Sequence, residues 1–422
     1  MVTFLHAADI HLDSPLANLR LGDDLGSGIF RGVTRRALDN LVELALREKV
    51  DFLLLAGDLY DGPWRDFNTG LFFIDRMQRL HKAGIKVFLV AGNHDAASRI
   101  TRALRLPDNV TFFPSAHAHT EILDELGVAI HGRSYGRRAE IDNLAAEYPD
   151  PVPGLFNIGI LHTALTGREG HAPYAPCTLT ELCGRGYDYW ALGHVHQHEI
   201  LHRDPWVVFA GNLQGRHIRE TGPRGCCLIR AEAGRIGEVS FVPLDVIRWQ
   251  RIEVDCTGLA SGDDLRALAR SSLEEAWGAS DGRPLVVRIV LSGPCPLHMA
   301  LVREQAFWES ELSGLGLAIG DIYLEGVEIR TRPAATEELS DLGCTLLQET
   351  PEQLDADLVE ELFAAAQLKT LERALPASIS RTDLLPHEED ERHALLAEAR
   401  DMVLAHLRGG VTPTPGGRDN EK

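Results

Sequence analysis

Five short apolar runs each lead into a residue able to ligate a metal, and that recurrence constrains the fold more than any other feature of the chain. "VTFLHAAD" reaches Asp9 and, two residues on, His11; "VDFLLLAGD" reaches Asp58; "VFLVAGN" reaches Asn93, followed by His94 and Asp95. "FNIGILH" ends in His162, and "YDYWALGH" in His194, with His196 two residues further. Runs this dense in Val, Ile, Leu and Phe are expected as strands buried on both faces. In extended backbone, residues i and i+2 leave on the same side, so Asp9 with His11, and His194 with His196, can face one point. Helical patterns lie between the first runs, as in "TRRALDNLVELALREK", where Leu38, Leu41, Leu44 and Ala45 share a face. With further strand candidates at "VAIHG" and "WVVFAGN", the alternation predicts a layered α/β domain over residues 1–245. Ligands of open α/β sheets gather at the C-terminal strand ends, which is where these residues fall.

The donor set is chemically specific. Two Asp carboxylates, one Asn amide and four His imidazoles, with no thiolate, suit manganese, iron or zinc. Seven side chains exceed what one ion takes and match two cations about 3.5–4 Å apart sharing one carboxylate. Cations that close repel, and a shared anion offsets part of the repulsion. Gly57, Gly92 and Gly193, each preceding a candidate ligand, predict close backbone approach around the site.

Composition bounds the rest. A chain of 422 residues, 44% hydrophobic and 25% charged, has room for two or three domains. No apolar run approaches the roughly 20 residues of a membrane span, and the N-terminus meets Asp9 too early for a signal peptide. The seven cysteines are scattered and form no C-x-x-C pair, as expected of reduced thiols. These features predict a cytoplasmic protein with no membrane partner. A net charge of −20 argues against a polyanionic partner, but the acid is concentrated beyond residue 333. Basic clusters stand at Arg31–Arg36, Arg99–Arg105, Arg133–Arg138 and Arg216–Arg224, and phosphate contacts need only a local patch.

Residues 248–332 read as a strand–helix–strand–helix–strand unit, with strands at 250–254, 285–291 and 321–329 and helices at 262–277 and 297–312. An acidic helical segment follows at 333–408, in helices near 353–375 and 386–407. Leu354, Leu358, Leu362 and Ala365 form an apolar stripe that covers either the protein's own core or a partner helix. Residues 409–422 are expected to be a flexible tail.

The blocks "DIH", "GDLYD", "GNHD", "LH" and "GHVH", in this order, resemble the five motifs of the calcineurin-like metallophosphoesterases. "HAADIHLDSPL" and "YDYWALGHVH" resemble the SbcD-type nuclease subunit, the bacterial relative of a repair nuclease that works with an SMC-like coiled-coil ATPase. "LHTALTG", "HAPYAPCTLTEL" and "GNLQGRHIRETG" are similar to its YhaO-like branch of DNA repair exonucleases.

The resemblance implies a four-layer αββα sandwich, a small α+β capping domain at 248–332 that lines a DNA groove, and an ATPase-docking region in the C-terminal helical segment. It implies two divalent cations, manganese foremost, hydrolysing DNA phosphodiester bonds as an exonuclease or endonuclease. Asp9, His11, Asp58 and His196 would hold one metal, and Asp58, Asn93, His162 and His194 the other. His94 would face the scissile phosphate as transition-state stabiliser or proton donor, with Asp61 orienting it. Archaeal and eukaryotic nucleases of the group commonly carry histidine where Asp61 stands. A homodimer is also implied; the helices around Leu38 and Phe72–Leu80 are either that interface or plain core.

Substrate contacts are expected from Trp64 and Arg65 in "GPWRDFNTG", unless Trp64 is a buried anchor for its loop, and from Arg133, His217 and Arg219. Cys177 and Ser134 lie near histidines in sequence but lack a recognisable paired base. Two other readings stand beside the DNA nuclease: a phosphoesterase for small nucleotides or phosphodiesters, which the net acidity favours, and an architectural ATPase partner with a vestigial site, which the complete ligand set opposes.

Overall fold

All seven apolar runs form strands, and their burial follows the sequence pattern. The computed structural model describes residues 1–17, 27–61, 67–96, 105–166 and 174–334, and helical residues 391, 392, 394, 395, 397 and 398. The helix expected at 353–375, most of that at 386–407, the tail at 409–422, and Trp64 and Arg65 lie outside the described residues.

Two six-stranded sheets organise the N-terminal part. The first runs β12-β11-β1-β2-β3-β4, with β1 Val2–Ala7, β2 Phe52–Ala56, β3 Lys86–Val90, β4 Val110–Phe112, β11 Gly225–Glu232 and β12 Arg235–Pro243. The second runs β5-β6-β7-β8-β10-β9, with β5 His119–Leu123, β6 Val128–Gly132, β7 Phe156–His162, β8 Tyr189–Gly193, β9 Glu199–Arg203 and β10 Trp206–Phe209. Strands β1 to β4 are parallel, as are β6, β7, β8 and β10. Their C-terminal ends therefore open together within each sheet.

Alternate residues of each strand point to opposite faces, and this sorts the core into layers. Phe4, Phe52, Leu54 and Phe88 of the first sheet meet Ile158, Ile160, Tyr189 and Ala191 of the second. Leu5, Leu53, Leu55 and Leu89 face the other way, onto Leu38, Leu41 and Ala45 of α1 (Val33–Glu48) and Phe73, Met77 and Leu80 of α2 (Phe67–Lys82). Leu161, Trp190, Leu192 and Phe209 pack against Leu144, Tyr148 and Leu182, the last on α3 (Leu179–Gly184). The order is helix, sheet, sheet, helix. Leu38 and the Phe73–Leu80 face are thus core, and the Phe72 ring is covered by the Arg76 guanidinium at 3.8 Å.

Five strands went unread in the sequence. Four of them, β4, β5, β9 and β12, are the sheet edges, where solvent on one side removes the need for a continuous apolar run. The fifth, β11, is interior, but Arg230 and Glu232 interrupt its apolar pattern.

Two compact units emerge from the internal contacts. One comprises Met1–Ile252, Leu273–Arg288 and Leu315–Gly326; the other comprises Glu253–Ser272, Ile289–Gly314 and the described residues from Val327 onward. Within the first, Val286 joins the helix-side core, Tyr323 meets Phe30 edge-on at 4.9 Å, and Arg248 pairs with Asp245 and Asp281. A three-stranded sheet orders β13 (Arg248–Asp255), β14 (Leu285–Pro294) and β15 (Ile322–Arg332). Of the two helices expected there, one is α4 (Gly262–Gly278). The other is split into α5 (His298–Arg303) and α6 (Gln305–Ile319), because Glu304 leaves the helical region at φ −115° and ψ 30°.

One buried base carries a stability consequence. His6 is fully buried, with Nε2 3.2 Å from Leu192 O and Nδ1 2.9 Å from Tyr189 Oη. A carbonyl only accepts, so Nε2 carries the proton and Nδ1 accepts the tyrosine hydroxyl. Burial pushes the His6 pKa down to about 3. The unfolded chain takes up this proton near pH 6.5 and the folded one does not, so the contribution is complete above pH 6.5 and falls as pH drops toward 3. Buried carboxylates titrate in the opposite sense, so the His6 effect is read against a variant. In EDTA, the stability deficit of His6→Gln relative to wild type is expected to shrink by about 2 kcal/mol between pH 7.5 and 5. A deficit independent of pH in denaturant titrations would contradict this protonation account.

Candidate metal centre

The strand ends converge because the loops after them are tied to one another. Asp9 N donates to Gly57 O at 3.0 Å and His11 N to Asp58 O at 3.0 Å, which locks the turn after β1 to the turn after β2. Asp95 is buried and accepts from Leu59 N, Tyr60 N and Gly92 N at 3.0–3.1 Å, fastening the turn after β3 to the same place. His194 N donates to both Asp9 oxygens, at 3.0 and 3.1 Å, bringing in the second sheet. Four candidate ligands hold left-handed backbone without being glycine: Asp9 at φ 50°, His11 at 44°, Asp58 at 51° and His194 at 98°. Such conformations cost on the order of 1 kcal/mol or more each and persist where the surroundings over-determine them, typically at functional sites.

Three donor groups form; one is His11, Asp61 and His94, and the other two, with Asn93, carry the seven candidate ligands. In the first of these two, Asp9, His11 and His196 bring ligand atoms together, with His11 Nε2 3.3 Å from His196 Nε2 and His196 Nε2 3.9 Å from Asp9 Oδ1. In the other, Asp58, His162 and His194 gather around Asn93, whose Oδ1 lies 3.0 Å from His162 Nε2 and 3.2 Å from His194 Nδ1. Asp58 Oδ2 stands between these two groups, 3.9 Å from His11 Nε2 and 3.5 Å from His162 Nε2.

Proton placement shows what fits there. His162 Nδ1 is 2.9 Å from Ala56 O and must donate to it, which leaves the Nε2 lone pair aimed at the Asn93 and Asp58 oxygens. His196 Nδ1 lies 2.5 Å from Glu220 Oε1 and likewise donates, so its Nε2 also presents a lone pair. His11 Nδ1 is buried with no hydrogen-bond partner among the described residues. The lone pairs of His162 and His196 aimed into the cluster, beside two buried carboxylates, fit divalent cations.

The electrostatics agree. Burial, then the neighbouring Asp58, pushes Asp9 well above the carboxylate range, and burial takes Asp58 to about 6. Burial depresses His162 to about 3 and His11 well below its ordinary value, keeping both imidazoles neutral as metal ligation requires. Asp95 is raised to about 7 by burial and by Asp58.

His94 stands apart. Its Nδ1 lies 2.8 Å from Asp61 Oδ1, and this hydrogen bond raises the His94 pKa while holding Asp61 well below the usual carboxylate range. His94 and His11 rings meet edge-on at 5.1 Å, so His94 borders the metal cluster. Its backbone N–H donates to Asp58 Oδ1 at 2.9 Å.

The other sequence candidates divide. Arg133 donates to Ser115 O at 3.2 Å and pairs with Glu147 at 2.5 Å, and neither partner belongs to the cluster. Arg219 is exposed, while His217 Nε2 lies 3.5 Å from Glu220. Ser134 donates to Phe113 O and accepts from Ala91 N, a structural role, and burial pushes the Cys177 thiol up to about 11, away from thiolate. The six described cysteines are all free. Sequence reading missed Glu220, Arg216 and Ser14, which support His196 and Asp61; only an Arg and Glu spaced i, i+4 after a strand end hinted at two of them.

Known proteins show matching features. The profile of the calcineurin-like phosphoesterases matches residues 2–198, and that of the middle domain of metallophosphoesterase YhaO matches residues 249–332. The uncharacterized metallophosphoesterase YhaO of Bacillus subtilis (strain 168) is 37% identical over 302 residues, covering 70% of this chain and 72% of that protein. The DNA double-strand break repair protein Mre11 of Methanopyrus kandleri is 26% identical over 63% of this chain and 62% of its own length. Its namesake from Haloferax volcanii is 25% identical over 57% of this chain and 54% of its own, so the chain spans less than two thirds of either Mre11 protein. Among solved structures, a dimetal phosphatase from Danio rerio aligns over 54% of this chain and 92% of its own, at 14% identity and a TM-score of 0.33. No described helix is long and apolar enough to cross a membrane.

Proposed function

The chain belongs to the calcineurin-like metallophosphoesterases, and from that premise we propose that it hydrolyses DNA phosphodiester bonds as an SbcD-type repair nuclease subunit, working with an SMC-like coiled-coil ATPase. The chemistry rests on one observation above the others: a single Asp58 oxygen within 4 Å of an imidazole nitrogen from each of the two ligand groups, the arrangement expected of a shared ligand. Asp9, His11 and His196 would hold one cation with Asp58, and Asn93, His162 and His194 the other. When bound, the cations, for which manganese is our choice, supply Lewis acidity to the phosphate oxygens and lower the pKa of water.

The chain's own residues do the rest. His94 donates its Nδ1 proton to Asp61, so Nε2 is the atom that can face a substrate. Its raised pKa suits an imidazolium that neutralises charge on the phosphate and passes a proton to the leaving oxygen. Buried Cys177 and the engaged Ser134 leave no covalent route among them. Support for DNA comes from the two Mre11 relatives, named as break-repair proteins, and from the basic clusters. On this reading residues 248–332 cap the DNA groove, residues 333–408 dock the ATPase, and the nuclease acts in the cytoplasm, as a homodimer. The net charge of −20 favours the second reading, a phosphoesterase for small phosphodiesters.

Purified protein with manganese is expected to cut end-labelled linear duplex DNA and a small chromogenic phosphodiester, with EDTA stopping both. Cleavage of the small ester alone, even after the ATPase is added, would reject the DNA reading in favour of the second.

A further inference from the structure

The loop joining β10 to β11 carries "GRHIRETG", Gly215–Gly222, and its Glu220 is 4% exposed. Glu220 Oε1 accepts from His196 Nδ1 at 2.5 Å, while Oε2 accepts from Arg216 N at 2.7 Å and Asn212 Nδ2 at 3.1 Å. Both oxygens are thus engaged, and the loop closes on its own acid. Arg216 reaches in two directions. Its Nη2 lies 3.9 Å from Glu220 Oε1; its Nη1 donates to Ser14 Oγ at 3.0 Å and to Asp61 Oδ2 at 3.4 Å. Ser14 Oγ in turn donates to Asp61 Oδ2 at 2.7 Å, and the other Asp61 oxygen holds His94. The side chains form one run: His196, Glu220, Arg216, Asp61, His94.

We propose that Glu220 and Arg216 are positioning residues: Glu220 sets the tautomer and ring orientation in which His196 presents Nε2 to a metal, and Arg216 fastens that carboxylate to the Asp61–His94 pair. The inference rests on the two-cation reading above, which takes His196 as a ligand and assigns no part to either residue. A carboxylate behind a ligating imidazole raises its basicity and stops the ring turning away, and loss of such a partner typically weakens metal binding by about 10–100-fold. Arg216 has a different task. Bonded on the Asp61 side, it restrains the carboxylate that orients His94, so its loss is felt at the proton-donating group more than at the ions.

Metal-stripped full-length protein is titrated with manganese by calorimetry, and cobalt-loaded protein is followed by its visible absorption. Wild type is expected to take up two ions. Glu220→Ala should weaken one of them by about 10–100-fold and leave the other nearly unchanged. Glu220→Gln, whose amide oxygen still accepts from Nδ1 but carries no charge, should recover part of the loss and shift the cobalt spectrum. Arg216→Met should lower kcat on the small phosphodiester more than it weakens either ion, with KM held. Wild-type affinity for both ions and an unshifted spectrum in Glu220→Ala would overturn the proposal, and if that variant does not fold the same result in Glu220→Leu, which cannot accept from Nδ1, decides. Failure of the wild type to bind any ion would instead remove the two-cation reading itself, and this inference with it.

Discussion

Asp58→Asn is expected to lower phosphodiester hydrolysis by on the order of a thousandfold or more, and at the same time to raise the melting temperature of the metal-free protein. The activity loss follows from position: Asp58 Oδ2 faces both ligand groups, so its charge is the one that offsets repulsion between two cations. The stability gain follows from the same charge without its cations. Asp58 is fully buried beside Asp9, and burial takes its pKa to about 6. A raised carboxylate stabilises the fold below the unfolded pKa of about 3.8, and that contribution is lost as pH rises through 6. At pH 8 the ionised group therefore costs the metal-free fold about 3 kcal/mol, which asparagine removes while still accepting from His94 N. With manganese the order reverses, because wild type gains binding free energy that the variant lacks. Activity above a tenth of wild type would refute the bridging role, and a lower melting temperature than wild type in EDTA would refute the buried-charge account.

Gly193→Ala is expected to destabilise the protein by about 3 kcal/mol or more and to abolish uptake of both ions. Gly193 ends β8 in one sheet and Ala56 ends β2 in the other. A Cβ on Gly193 would collide with Ala56 O and come within 3.0 Å of His162 Nδ1. Ala56 O is the acceptor that sets the His162 tautomer, so relief of the clash must part the sheets or break that bond. Gly184→Ala is the matched control, since a Cβ there meets nothing within 4 Å and the backbone is not left-handed. Equal melting temperatures for the two variants, with two ions bound in each, would show that the close approach does not matter.

Much of this is legible in the sequence. The interior strands β1, β2, β3, β6, β7, β8 and β10 were readable because burial on both faces forces a continuous apolar run. The candidate ligands were readable because each sits within four residues of such a strand's C-terminal end. The edge strands escaped because one-sided burial leaves a weaker pattern, and the break at Glu304 escaped because helical spacing alone carries no signal for it. Arg133 shows the limit of charge as a guide: it lies in a basic cluster, yet its guanidinium is paired with Glu147.

The sequence by itself determined which residue types reach the strand ends and how many donors gather there, since strand periodicity and strand direction are local properties of the chain. Only the tertiary structure decided which proton each imidazole keeps and which group each carboxylate serves. His162 is set by Ala56 O, 106 residues away, and Asp61 is braced by Arg216, 155 residues away. Such partners are chosen by distance in space, across two sheets whose packing no local pattern records.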